Sequence, residues 1–323
     1  MFQIVYILIS DENDYYAEEC LLSMSTVKRH NSDCNIILIT DEATFKGLNN
    51  GRERIKEYIT ETKIIDLPEN NSKIFRSRFL KTGLREYVSG DYLYLDTDTL
   101  ILNSLSAIFE NTHDMVAVLE EHIDDVNLYQ LNNYRSMTSL PEEIFGKYFN
   151  SGVLFVKDTP ASHKLYHDWH TYWLEDVKKY DYFSDQPALS KAVKLNHDVI
   201  NELDGKYNCQ MECLNSKLFK LTTEWLNLLS DAVVIHYFNK KKETHFFPLK
   251  QVDFLKKIRE NGITDEVKKV LIQPHPYYYN NWINRLLVEN KRIHDKPILK
   301  LERLFINRYL ITLKRWMKLL IKK

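Results

Sequence analysis

The chain has 323 residues, 44% hydrophobic and 12% aromatic, which supplies a sizeable core and argues against wholesale disorder. Its formal charge is −1, with 44 basic against 45 acidic residues, which speaks against a body built to wrap nucleic acid. A chain of this length holds one large α/β domain with an appendage, or two domains.

Phe2–Ile9 reads as a first strand, and Tyr15–Arg29 follows with apolar residues at helical spacing. Asn35–Thr40 is a second strand and Lys63–Leu67 a third; Ser72–Tyr87 is a helix and Tyr92–Leu95 a strand. A short helix is expected over Asn103–Phe109 with Asn103 as its cap, then a strand over Met115–Leu119. Glu120 to Gly146 contains no convincing element and reads as a loop covering the site. Beyond it come a strand at Asn150–Val156, a helix over Ala161–Lys178, a helix opening near Ser184-Asp185-Gln186-Pro187, and a strand at Val233–Phe238. This alternation predicts a mostly parallel central sheet flanked by helices. Ligands of such sheets bind beyond the carboxyl ends of the strands, the edge where Asp11, Asp96 and Asp98 would stand.

The N-terminal apolar run is short, lacks a basic leader and is followed by acidic residues, so no secretory signal is expected. No stretch is long enough to span a bilayer. Cysteines 20, 34, 209 and 213 form no CxxC pair, so buried thiols in a reducing compartment are expected, and a cytoplasmic protein with them.

Chemistry concentrates in Tyr92-Leu93-Tyr94-Leu95-Asp96-Thr97-Asp98-Thr99. In an extended backbone residues i and i+2 share a face, so Asp96 and Asp98 would converge on one cation. Two carboxylates held together are costly without a metal or a proton between them; the plainer alternative is a strand ending in a polar turn. With eight glycines, none in a GxGxxG or Walker pattern, there is no backbone nest for phosphates, and a metal at Asp96 and Asp98 would supply the missing counter-charge. Gly152 is placed for close approach of backbone to ligand. Asp185 taken alone is an ordinary helix cap, and a lone histidine at a strand end, His236, is more often structural than a ligand.

Taken together, the Ser10-Asp11 loop, Arg78, the motif at Asp96 and Asp98, Asn150 to Val156, Asp185-Gln186-Pro187, Leu203 to Cys209 and the His236 to Lys242 pattern resemble the family 8 glycosyltransferases. That family includes bacterial lipooligosaccharide galactosyl- and glucosyltransferases and the glycogenins. The resemblance implies a GT-A-type nucleotide-sugar-binding fold, a UDP-sugar donor, a hexose transferred with retention, and a glycan or glycolipid acceptor in cell-surface polysaccharide or lipopolysaccharide synthesis. It assigns Asp96, Asp98 and His236 to a metal, Asp11 to the uracil, Arg78 to the donor, Lys242 to the diphosphate, and Asn150, Asp185 and Gln186 to the sugar pocket. The imidazole in that set favours Mn²⁺ over Mg²⁺. Asp185 and Gln186 are the candidates to face a transition state with oxocarbenium character. Asn239, Glu243 and Thr244 stand where the family often has Gly, Pro and Trp, so Lys240, Lys241 and Lys242 all compete for the phosphate. A sugar-nucleotide pyrophosphorylase would want a glycine-rich loop after the first strand, and a non-catalytic scaffold would be expected to have lost metal ligands.

The catalytic domain is placed at 1–250 and a helical extension at 251–323. Residues 300–323 hold eight basic residues against Glu302, a charge of +7, which leaves −8 on the rest of the chain. At about 100° per residue, Phe305, Ile306, Tyr309, Leu313, Trp316 and Leu320 share one face and the basic residues take the other, with Leu304 and Ile311 as exceptions. A basic face opposite a Trp-bearing apolar face suits an anionic membrane interface, and the rival is a helix packed on its own domain or in a dimer. The expectation is therefore a cytoplasmic enzyme held peripherally at the inner face of a membrane.

Overall fold

The computed structural model describes residues 2–67, 72–124, 127–210, 231–237 and 252–272. The first strand shows why the sheet is central. In β1 (Gln3–Leu8) alternate residues face opposite sides, and both sides are apolar. Ile4, Tyr6 and Leu8 enter one buried cluster while Val5 and Ile7 enter another. The same split holds in β2 (Asn35–Thr40), β4 (Tyr92–Leu95) and β7 (Phe149–Val156). Strands apolar on both faces need helices on both.

With β3 (Glu61–Ile64), β6 (Met115–Leu119) and β8 (Ile200–Glu202), these strands form a seven-stranded sheet in the order β3-β2-β1-β4-β7-β6-β8. Only β7 runs against its neighbours. Its amino end therefore meets the carboxyl ends of β4 and β6, and three chain segments converge at one edge. A three-stranded sheet of β5 (Thr99–Ile101), β10 (Val234–His236) and β9 (Cys209–Gln210) lies on the side of α1 (Tyr16–His30).

Helix boundaries follow local chemistry. α1 carries Glu18 and Glu19 in its first turn and Lys28, Arg29 and His30 in its last, the signs its dipole favours. After α2 (Glu42–Gly47), capped by Asp41, α3 (Lys73–Thr82) is opened by Ser72, whose side chain accepts from the Phe75 amide. It stops at Gly83, and a 3₁₀ turn at Leu84–Glu86 replaces the last turns expected to Tyr87. The third strand sits two residues earlier than expected, paired on β2 through Ile37 and Glu61. The helix expected over Asn103–Phe109 is only α4 (Ser106–Phe109); Leu105 holds the cap position, and the Asn103 carboxamide accepts from the Ser104 amide instead.

The span Glu120 to Gly146 is not a bare loop. It contains α5 (Tyr129–Thr138), whose Leu131 and Tyr134 make a small third cluster with Leu128, Phe145 and Tyr148. Further on, α6 (Pro160–Tyr180) opens with a Thr159–Ser162 capping box and a proline, and α7 (Gln186–Leu195) packs beside it under the sheet. α8 (Val252–Asn261) and α9 (Asp265–Ile272) place Leu255, Ile258, Val267 and Leu271 in the cluster that holds α1 and half of β1. Cys20, Cys34 and Cys209 are buried free thiols, as expected. Among the described residues no helix is long and apolar enough to cross a membrane. Residues 300–323, Lys240 to Lys242 and Cys213 lie outside the described residues.

Candidate active site

Asp96 and Asp98 leave β4 on a turn into β5, not on a continuous strand. They converge all the same. The turn is tied down by the Asp96 amide, which donates to the Gly152 carbonyl at 2.8 Å, and by the Thr99 hydroxyl, which donates to the Asp96 carbonyl at 2.9 Å. Thr99 is itself held by Ser23, and Ser23 by Tyr6, through buried hydroxyl bonds of 2.9 and 2.7 Å. β10 pairs antiparallel with β5, setting His236 opposite Thr99, and the Tyr237 amide donates to the Asp98 carbonyl at 3.0 Å.

One donor atom from each of Asp96, Asp98 and His236 therefore lies within 4.8 Å of the others. His236 Nε2 is 3.2 Å from Asp98 Oδ1 and 3.7 Å from Asp96 Oδ2. Two carboxylates and an imidazole form a donor set that could hold a divalent cation. The space is built for that group: a Cβ at Gly152 would fall 2.1 Å from His236 Cε1 and 2.9 Å from Asp96 Oδ2. The sequence expectation had Gly152 admitting a ligand; the backbone instead admits the donor side chains themselves.

On the other side of Asp96 stands Lys81, 2% exposed, with Nζ 3.1 and 3.2 Å from the two carboxylate oxygens. The Tyr94 hydroxyl donates to the same carboxylate. Lys81 Nζ also lies 3.8 Å from Asp185 Oδ2, and Arg78 Nε lies 3.0 Å from Asp185 Oδ1. Burial pushes the Asp185 carboxyl up, but Lys81, Arg78 and the Ser151 hydroxyl outweigh it, and the group sits below its ordinary value. Burial likewise disfavours the charged Arg78, yet Asp185 and Asp96 hold it protonated above its usual range. Asp185 occupies the position before α7, but its side chain makes no cap bond. It faces the site.

Glu120, the first residue after β6, is buried and accepts from Asn150 Nδ2 at 2.8 Å and from Gln186 Nε2 at 2.7 Å. Burial raises its carboxyl above the ordinary value, with the two amides offsetting part of the effect. Directly after it, Glu121 and His122 adopt left-handed backbone with φ of 53° and 56°. For residues other than glycine this costs about 1–3 kcal/mol each, strain located where the chain leaves the site edge for α5.

Of the residues singled out from sequence, these contacts join Asp96, Asp98, His236, Arg78 and Asp185 in one group and Asn150 with Gln186 in a second, and Asn208 links the two by bonds to Asn150 at 2.8 Å and His236 at 3.0 Å. Asp11 belongs to the same sheet edge but to another neighbourhood. Its carboxylate pairs with Lys73 at 2.8 Å, which with the Asn13 amide holds it below the usual range. Lys242 lies outside the described residues. Lys81, Glu120, Asn208 and Tyr94 were not assigned roles from sequence. The available signals were the spacing of Lys81 three residues after Arg78 on α3, and the placement of Glu120 immediately after an apolar strand.

A mostly parallel sheet with one reversed strand, and an Asp-Asp-His cluster at its carboxyl edge, define a GT-A-type glycosyltransferase. Residues 7–243 match the sequence profile described as Glycosyl transferase family 8, and the chain belongs to that family. Its structure is similar to that of the galactosyltransferase LgtC in complex with donor and acceptor sugar analogues. The TM-score is 0.52 at 16% identity, over 83% of this chain and 99% of that one. It is also similar to the bifunctional glycosyltransferase WbbM in its apo form, with a TM-score of 0.53 at 14% identity, over 83% of this chain and 51% of that one. At these identities the likeness is one of fold. No curated protein matches the chain at a significant level of sequence similarity.

Proposed function

We propose that this glycosyltransferase moves a hexose, galactose or glucose, from a UDP-sugar to a glycan or lipid-linked acceptor in cell-surface polysaccharide or lipopolysaccharide synthesis, with retention and with Mn²⁺ as cofactor. The observation that carries the reading is the cluster of Asp96, Asp98 and His236 at the carboxyl edge of the sheet, flanked by Lys81, Arg78 and Asp185. When bound, the metal supplies a Lewis acid that stabilises charge on the departing diphosphate.

The remaining roles belong to the chain. Asp96 and Asp98 offer anionic oxygens and His236 a nitrogen. Lys81 holds the Asp96 carboxylate in place from behind, so its orientation is set before any ligand arrives. Asp185, paired with two cations and a hydroxyl, stays ionised and suits electrostatic stabilisation of a cationic sugar better than covalent attack, because its lone pairs are engaged. Gln186 is oriented by Glu120. The Asp11 loop is the proposed reader of the uracil, and Lys242 the proposed partner of the diphosphate. Peripheral attachment at the inner face of a membrane through residues 300–323 completes the proposal.

The test is a screen of UDP-sugars for slow Mn²⁺-dependent hydrolysis. Asp96→Asn and Asp98→Asn each exchange an anionic donor for a neutral one, and each is expected to abolish turnover. Full turnover in both variants would refute the site.

A further inference from the structure

Asn150 was expected at the sugar pocket, and Asn208 falls in the Leu203–Cys209 motif with no role attached. In the structure both are buried, and both carboxamides bond protein partners. Asn150 Oδ1 accepts from the Gly152 amide at 3.0 Å and from Asn208 Nδ2 at 2.8 Å, while Asn150 Nδ2 donates to Glu120 Oε2 at 2.8 Å. With its Nδ2 so used, Asn208 turns Oδ1 to His236 Nδ1, 3.0 Å away.

A carboxamide is reversible, since a half-turn exchanges donor for acceptor. This chain of amides has no such freedom, because its far end is fixed. A backbone N–H can only donate, so the Gly152 amide requires an oxygen from Asn150; the Glu120 carboxylate on the other side requires the Asn150 NH₂. Asn208 must then donate to Asn150 and accept from the imidazole. His236 Nδ1 is then the donor to Asn208, and Nε2 is the ring nitrogen that faces Asp98 and Asp96. A histidine's second nitrogen commonly sets which nitrogen is free for a metal.

We propose that Asn150 and Asn208 form an amide relay, anchored by the Gly152 N–H and Glu120, that holds His236 in its Nδ1–H tautomer with Nε2 open to a divalent cation. Asn150 thereby becomes a positioning residue for the metal site. The cation part rests on the proposed metal dependence; the tautomer part does not.

The experiment reads the tautomer directly, from the ring ¹⁵N shifts of His236 in metal-free protein at pH 8.5, with Mn²⁺ affinity measured alongside. The parent protein is expected to show Nδ1 protonated and Nε2 bare. Asn208→Leu and Asn150→Leu should populate the Nε2–H form and weaken Mn²⁺ binding about 10- to 100-fold. Asn208→Asp retains an obligate acceptor beside Nδ1, so the double variant Asn150→Leu/Asn208→Asp should regain the Nδ1–H form, which a merely structural role for Asn150 would not produce. If the Leu variants fold poorly, Asn208→Ala removes the acceptor without added bulk and still discriminates. An Nε2–H tautomer or a doubly protonated ring in the parent, or an unchanged tautomer in Asn208→Ala, overturns the proposal. A relay-dependent tautomer in a parent protein that binds no Mn²⁺ would support the relay and remove the metal reading instead.

Discussion

A methyl group at position 152 would have to share space with the His236 ring, 2.1 Å from Cε1 and 2.8 Å from Nδ1. Neither group can yield easily. β7 is paired on both sides, and the ring is tethered through Asn208. Gly152→Ala is therefore expected to lower stability by about 1–3 kcal/mol through overpacking and to displace the imidazole from the two aspartates, with Mn²⁺ affinity falling at least about 10-fold. Chemical denaturation and metal titration check the two halves separately; parental metal affinity in a destabilised variant would show that the ring adapts. The carboxylates around this point differ in sign. Glu120 has a folded pKa raised by burial above its ordinary 4.5, with Asn150 and Gln186 working against the rise. The native state then keeps a proton that the unfolded chain has released. Its contribution to stability is complete below the unfolded pKa and is lost as pH climbs through the folded value. Asp185 runs the other way: its contribution is present above its unfolded pKa, near 3.8, and is lost as pH falls through the lowered folded value. Glu120→Gln should consequently gain stability relative to the parent as pH climbs from 4.5 through the raised folded value in metal-free protein. Parallel urea stability curves across that interval would contradict this.

At the scale of elements, α3 and α8 both arm the carboxyl edge of the sheet. α3 directs Lys73 to Asp11 and Asp14, Arg76 to Asp41, Arg78 to Asp185 and Lys81 to Asp96. One helix supplies the counter-charges for four loops. α8 reaches the same edge through Arg259, which bonds Glu18 at 2.6 Å and the carbonyls of Asp14 at 2.6 Å and Glu12 at 3.3 Å, and stacks its guanidinium over Tyr15. Arg52 holds Glu18 and the carbonyls of Asp11 and Asp14 from the other side. A hydrogen bond to a charged group contributes roughly 1.5–3 kcal/mol, so Arg259→Ala should speed hydrogen exchange of amides 11–16 about 10-fold and raise the KM for donor more than it lowers kcat. Unaltered exchange there would mean that Arg52 suffices. How legible these elements were depends on what made them. The alternating strands and α1, α6 and α7 were readable because apolar periodicity created them, and Asp96, Asp98 and His236 because a family pattern marks them. α5 was not, because its Gln130, Asn132, Asn133, Arg135 and Ser136 dilute the apolar face to little more than Leu131 and Tyr134. Lys81 and Glu120 were hidden for a different reason. Their partners Asp96, Asp185, Asn150 and Gln186 lie 15 to 104 positions away, and only the fold brings them together.

For the whole molecule, the question is where the catalytic body ends. The sequence divides the chain at residue 250, but the packing runs across that line. Leu255, Ile258, Val267 and Leu271 are buried against the cluster that contains Cys20, Leu21, Met24 and Val27 of α1 and Ile4 of β1. Each such aliphatic side chain contributes about 1.5–3 kcal/mol on burial. Four of them amount to a large part of the roughly 5–15 kcal/mol that holds a domain folded. A chain ending at residue 250 would expose that surface and also lose the Arg259 contacts to the loop of Asp11 to Asp14. It is expected to aggregate or to unfold many degrees earlier than the full chain. Ending the chain at residue 299 removes a segment of +7 charge and leaves α8 and α9 in place. On the proposed membrane role, that shorter chain should keep its thermal midpoint and its UDP-sugar hydrolysis while losing affinity for vesicles of anionic lipid, with the parental binding weakening as salt rises. Parental vesicle binding after the deletion would refute the membrane role. A fall in melting temperature equal to that of the chain ending at residue 250 would instead assign residues 300–323 to the folded body.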